Sequence, residues 1–218
     1  MFTTASMRVR ANFAGNRVLQ VLTAIYGAVW LIMAIAPLDR FDWFLENLLV
    51  FAFVGLLAAT YRVFPLSDLS YTLIAVFMGL HAVGAHYTYA ESPVGFWFQD
   101  AWGLERNHYD RVVHFLFGLL FSYPLREVVK RGTGAAGLWC YALGLVSVLS
   151  LSSVYEILEW IVAEIVDPDA AFAFLGTQGD VFDAQKDSAL AAVGAILGLA
   201  AIALLSNMRS GARPSGRL

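Results

Sequence analysis

Six apolar runs, at about residues 18–36, 45–63, 71–90, 109–125, 137–160 and 187–205, leave this chain few ways to fold. Each is close to the roughly 20 apolar residues that a helix needs to cross the hydrocarbon of a bilayer. Only 14% of the residues are charged and 59% are hydrophobic, against roughly 25% charged in a soluble domain. The expected fold is all-α: a polytopic membrane protein with six transmembrane helices in a single transmembrane domain over residues 1–218. Pro37 and Pro65 follow the first and second runs, and Pro124 sits late in the fourth. The last run is rich in Ala and Gly, the small residues that let membrane helices approach closely. Ala34-Ile35-Ala36 resembles a signal-peptidase site, but the run before it is too long for a typical secretory signal. It reads as a retained helix. Residues 206–218 read as a flexible basic cytoplasmic tail, and the aromatic stretch at residues 96–104 as a segment lying at the headgroup level.

Orientation follows from the basic residues. With six alternating helices, Arg8, Arg10, Arg17, Arg62, Arg126, Lys130, Arg131, Arg209, Arg213 and Arg217 fall on one side. Arg40, Arg106, Arg111 and Lys186 fall on the other. Cytoplasmic loops carry the excess of Lys and Arg, so both termini are expected in the cytoplasm. The lone cysteine, Cys140, lies within an apolar run and reads as a packing residue.

Against this apolar background, the ionisable residues near the outward helix ends need a reason. Asp110 and His114 are four apart, as are Asp183 and Asp187, and Glu156 and Glu159 are three apart. Such spacings put each pair on one helical face. With a rise of about 1.5 Å per residue, His114 lies about 7 Å inside its helix start and His86 about 6 Å inside its helix end. Four helices therefore offer acids or imidazoles at one depth. His81 and His86 are five apart, which turns them about 140° from each other, so His81 reads as a helix-packing residue nearer mid-membrane.

Ionisable residues at membrane depth mark a functional site facing the bundle interior by default. Several carboxylates with one or two imidazoles suit a divalent metal: magnesium or manganese for an oxygen-rich shell, zinc or iron once imidazole joins. The candidate ligands are His86, Asp110, His114, Glu156, Asp183 and Asp187, with Asp110, His114 and Glu156 as candidate catalytic groups. Each spacing also has a plainer explanation. Asp110 could cap its helix or pair with Arg111, and Asp183 could pair with Lys186. Asp180 could be a solvated loop acid, and Glu159 and Glu164 could face water.

The motifs HYDRVVHF (108–115), SSVYEILEW (152–160) and GTQGDVFDAQKDSALAAVGA (176–195) resemble the YjdF-type family of bacterial inner-membrane proteins. That resemblance implies a six-helix topology in the bacterial inner membrane and no particular chemistry. A more distant similarity is to VanZ-like membrane proteins, a group associated with glycopeptide-antibiotic resistance. Their acid-basic-x-x-His-Phe helix start is matched by Asp110, Arg111, His114 and Phe115. Their Glu-x-x-Gln has Glu156 and Glu159 here, and their acid-Asn-Gly-Gly pattern has Asp187, Ala191, Gly194 and Gly198. Glu for Gln and Ala for Asn make this version more acidic.

Three functions fit the pattern. The leading one is a metal-assisted hydrolase or transferase acting at the periplasmic face on a lipid or lipid-linked envelope substrate. The second is a proton- or cation-coupled transporter, although the inner half of the bundle shows only Ser and Thr as polar residues. The third is a non-catalytic membrane protein whose polar cluster holds helices together or binds an envelope partner. Membrane lipid is the expected surrounding partner. Nucleic acid is not, because the basic residues are few and spread along one rim. No phosphate-loop or nucleophile-elbow motif occurs in the sequence.

Overall fold

The computed structural model describes residues 12–211. Among them the regular structure is entirely helical, and no strand occurs. A 3-10 turn at Phe13–Gly15 leads into α1 (Arg17–Met33), α2 (Arg40–Thr60), α3 (Asp68–His86) and the short α4 (Pro93–Trp102). Then come α5 (Tyr109–Thr133), α6 (Gly137–Ala163), the short α7 (Pro168–Leu175) and α8 (Asp183–Gly211).

Five helices are long and apolar enough to cross a bilayer: α2, α3, α5, α6 and most of α8. The first apolar run, expected over 18–36, gives a helix of only 17 residues. Asn16 caps its start by accepting from the Leu19 amide. Its end comes early because Ala36 takes a left-handed conformation at φ 49°, while Arg40 Nη1 donates to the freed Ala34 carbonyl at 2.8 Å. An orphan carbonyl at a helix end is thereby satisfied.

Other boundaries differ from the sequence expectation for similar local reasons. Asp39 accepts from the Phe41 and Asp42 amides at 2.8 and 2.9 Å, a side-chain N-cap that starts α2 five residues before position 45. Helix α3 begins earlier too, at the Ser67 cap, and ends at His86 because Thr88 and Tyr89 adopt positive φ. Helix α5 passes through Pro124 and continues to Thr133, where Gly134 turns left-handed at φ 73°. Helix α8 opens at Asp183 and runs to Gly211, so residues 206–211, expected in the flexible tail, are helical. The rest of the expected tail, with Arg213 and Arg217, lies outside the described residues, as do Arg8 and Arg10. The aromatic stretch expected at the headgroup level falls largely on α4, which presents Trp97 and Trp102 outward.

The centre of the fold is the contact between α5 and α8, the most extensive helix pair in the chain. Gly118 of α5 lies against the Ala191 carbonyl, Gly194 of α8 against the Phe115 carbonyl, and Gly198 against Ser122. Ala191 and Ala195 are fully buried beside Val148 of α6. Side chains this small allow backbone-to-backbone packing, which supplies association energy where lipid tails remove the hydrophobic drive. A second cluster joins Val50 of α2, Ile74 and Met78 of α3, and Phe121 of α5. At the far end of α5, Glu127 accepts from the Ser67 amide and from the Ser67 and Ser70 hydroxyls, pinning the start of α3. Cys140 is buried, with its thiol 3.8 Å from the Arg126 carbonyl, in a packing position.

Candidate functional site

The close approach of α5 and α8 determines which side chains meet at the end of the bundle where both helices begin. Asp110 and His114 share a face of α5, with His114 Nε2 3.5 Å from Asp110 Oδ1. Asp187 stands on the second turn of α8. One ligand atom from each of Asp110, His114 and Asp187 lies within 4.8 Å of the other two. From α6, Glu156 brings Oε1 to 3.5 Å from His114 Nε2. Asp187 is only 2% exposed. Its Oδ1 and the Oε1 of Glu156 are buried without a hydrogen-bond partner. A buried acceptor left unpaired costs about 1–3 kcal/mol, and more when charged. An Asp–His–Asp set with an unpaired carboxylate oxygen on Asp187, and another on Glu156 beside it, has the donor chemistry a divalent cation takes.

Two expected ligands are placed otherwise. Asp183 accepts from Arg106 Nη1 at 2.7 Å and from Arg111 Nη2 at 3.1 Å. Its lone pairs face guanidinium groups, so it forms the wall beside the Asp–His–Asp set. His86 is engaged at the end of α3, where its Nδ1 lies 2.9 Å from the Met33 carbonyl and its ring meets Tyr87 edge-on. It ties α3 to α1.

Asp180 is not a free loop acid. It pairs with Arg111 and, at 2.5 Å, with Lys186, and Arg106 lies 3.8 Å away. The Lys186 ammonium and the Phe182 amide, with Arg111, hold its carboxyl well below the usual carboxylate range. His108 at the start of α5 is pushed below the ordinary imidazole value by burial, with the Arg111 and Arg106 guanidiniums alongside. Asn107, 1% exposed, completes this wall. Its side chain donates to the Ser92 carbonyl and accepts from the Tyr109 amide. Gln178 exchanges two hydrogen bonds with its backbone. Gly95 of α4 presses against Asn107 so closely that a side chain there would collide with it.

Several polar residues of this region carry no obvious mark in the sequence. Asp42 and Glu46 of α2 are 3% and 4% exposed, and Tyr155 of α6 donates to Glu46 Oε2 at 3.0 Å. Tyr89 places its hydroxyl 2.5 Å from His81 Nδ1. The same i, i+4 spacing that singles out Asp110 and His114 relates Asp42 to Glu46. It was hidden because the second apolar run begins at about residue 45, which leaves Asp42 outside it and Glu46 at its very edge. Glu159 is half-buried, and Glu164 is exposed and accepts from Trp160 Nε1 at 3.2 Å.

Beneath the polar set lies a cavity of about 350 Å³, within the range of small-molecule sites. Helices α2, α3, α5 and α6 enclose it. Its lining is apolar, as at Leu49, Phe117 and Leu151, except where His81, Tyr89, Asp110, His114, Ser152 and Tyr155 reach it. The arrangement combines an apolar chamber with a carboxylate–imidazole cluster at its polar end.

Comparison with known proteins agrees with the membrane character of the chain. Residues 18–208 match the family described as "Predicted membrane protein (DUF2238)". Over 159 residues the chain is 42% identical to the inner membrane protein YjdF of Escherichia coli (strain K12), covering 72% of this chain and 76% of that protein. No solved structure matches. The several apolar helices and this relative together make it a multi-pass protein of the inner membrane. The chain belongs to the DUF2238 family of membrane proteins.

Proposed function

We propose that the chain is a metal-assisted hydrolase or transferase acting on a lipid or lipid-linked substrate of the envelope. One observation carries this reading: the apolar cavity between the helices ends on Asp110 and His114. An amphiphile with its tail in that cavity brings its headgroup to the cluster. Asp110, His114 and Asp187 would hold a divalent cation, which would supply Lewis acidity towards an ester or phosphoryl oxygen. Glu156 accepts the proton of the attacking water or hydroxyl, the role of a positioned general base. Arg106 and Arg111, pairing with Asp183, orient the wall of the site, as outer partners of metal ligands do. Trp97 and Trp102 hold α4 at the headgroup level.

The test is elemental analysis of protein in lipid nanodiscs, beside a His114→Ala variant of matched monodispersity. Zinc, manganese, magnesium or iron is expected in stoichiometric amount in the first and lost from the second. No metal in either after supplementation would remove the metal-assisted reading.

The proposal includes six crossings and cytoplasmic termini. Helix α1 would be the additional crossing: 17 residues span about 26 Å, and a short helix is accommodated by local thinning of the bilayer. A cysteine introduced at Asp100 is then labelled by an impermeant maleimide in intact spheroplasts, and one at Gly134 only after permeabilisation. The opposite pattern would reverse the orientation and place the site on the cytoplasmic side.

A further inference from the structure

The apolar cavity has a neighbour. A second one, of about 400 Å³, lies between α1, α2 and α3. The two are stacked along α2: the first draws on Leu49 to Leu56, the second on Phe53 to Arg62. Along the antiparallel α3, the first reaches from Phe77 towards His81 and the second from Tyr71 to Met78. Just two residues, Phe53 and Met78, line both. Phe53 is half-buried and meets Phe121 at a centroid distance of 5.9 Å. Met78 is 6% exposed. From Leu49 to Arg62 the two chambers follow α2 for about 20 Å, at 1.5 Å per residue. Only the first chamber touches the Asp110–His114 cluster.

We propose that Phe53 and Met78 form a partition that sets how long a hydrocarbon chain the site accepts. The inference rests on the lipid-substrate reading above and specifies its tail. A short chain, with its headgroup at Asp110 and His114, fills the first chamber alone. A longer chain must pass between Phe53 and Met78 to enter the second. Methionine suits such a position, being unbranched, with three rotatable bonds and no preferred single shape. The phenyl ring opposite supplies a stiff wall. The lining also fixes the kind of occupant. Neither chamber has a charged group near the partition, where Val50, Ile74 and Phe121 pack around Met78. Water and ions lose their polar partners there, whereas an alkyl or prenyl chain exchanges the bilayer interior for an equally apolar lining.

The experiment uses the full chain in nanodiscs of bacterial polar lipid. The probes are n-alkyl phosphates of increasing chain length, each bearing a diazirine at the tail end. After photolysis, mass spectrometry of the digested protein locates the adduct. Short probes are expected to label the first chamber, for example near Leu151, and long probes the second, near Leu57 and Ile74. Met78→Ala shifts the changeover to shorter probes, raising second-chamber labelling by an intermediate probe several-fold. Phe53→Trp confines that probe to the first chamber. Met78→Leu keeps the volume and leaves the changeover in place, which controls for disturbed packing.

A changeover length unmoved in both Met78→Ala and Phe53→Trp, with the first chamber still labelled, overturns the partition while leaving the lipid reading intact. Absence of first-chamber labelling with every probe overturns the lipid reading itself, and the partition with it.

Discussion

Replacing Gly194 with alanine is expected to push α8 away from α5 and lower the apparent Tm of the protein by on the order of 10 °C. A methyl group at this position falls on the Phe115 carbonyl and within 2.8 Å of the Leu119 amide nitrogen. Both are main-chain atoms of a helix, so neither can swing aside as a side chain would. Adding one methylene to a well-packed core already costs about 1–3 kcal/mol, and each kcal/mol shifts Tm by roughly 2–4 °C in a domain of 150–250 residues. The damage reaches the site as well. Asp187 is seven residues before Gly194, two turns along the same face of α8. Displacing α8 therefore withdraws Asp187 from Asp110 and His114. The matched control is Gly55→Ala in α2, where the added methyl meets nothing within 4 Å and helix propensity favours alanine by roughly 0.5–1 kcal/mol. Thermal unfolding of both variants in nanodiscs checks the contrast. Equal stability of the two would mean that α5 and α8 do not pack through these glycines.

The membrane class, the five long helices and the meeting of Asp110 with His114 and Asp187 were all legible in the sequence, for a common reason. Hydrophobic run length and helical periodicity are local properties, and i, i+4 spacing places residues on one face whatever the tertiary structure. What failed was information that depends on partners across the fold. Asp183 has the same spacing from Asp187 as Asp110 has from His114, yet Arg106 and Arg111 claim it. Those arginines come from the loop before α5 and from its first turn, and nothing in their local sequence says which carboxylate they meet. His86 stands at a plausible depth for the cluster, but the early end of α1 brings the Met33 carbonyl to it. Asp42 was missed because it precedes the apolar run, and Glu46, at the edge of that run, shows its partner only when Tyr155 of α6 packs against it. The Asp39 cap shows the helix already under way at Arg40.

This comparison also explains the electrostatic layout. The described part of the site holds more acids than bases, and the bases are not spread evenly. Arg106, Arg111 and Lys186 gather on Asp180 and Asp183 at one edge. Asp110, Glu156 and Asp187 are left around His114, with no arginine or lysine within ion-pair distance of them among the described residues. An arrangement intended only to hold helices together would distribute the guanidiniums among the buried carboxylates, because an unpaired buried charge is costly. Concentrating cations at the edge leaves the centre short of positive charge. That deficit is what a bound cation would fill.

The division of roles within that centre leads to the sharpest functional contrast, between Asp187→Asn and Glu156→Gln. Asp187 belongs to the set whose ligand atoms lie within 4.8 Å of one another, and Glu156 does not. Glu156 reaches His114 from α6 at 3.5 Å, and its Oε1 is otherwise unpartnered. Asp187→Asn is therefore expected to empty the proposed cation position and, with it, to abolish turnover. Glu156→Gln keeps the shape and the cation but removes the group that takes the proton. Loss of a general base costs about 10²–10⁴-fold in rate, and the fall is expected in kcat with KM little changed, because the cavity that holds the lipid tail is untouched. Elemental analysis and turnover measured on the same preparations separate the two cases. If Glu156→Gln loses the metal together with the activity, Glu156 is a fourth ligand and the proton must go elsewhere. His114, 3.5 Å from both Asp110 and Glu156, would then be too closely engaged to receive it while still ligating, and the base would have to be sought among Glu159 and the hydrogen-bonded pair Tyr155 and Glu46.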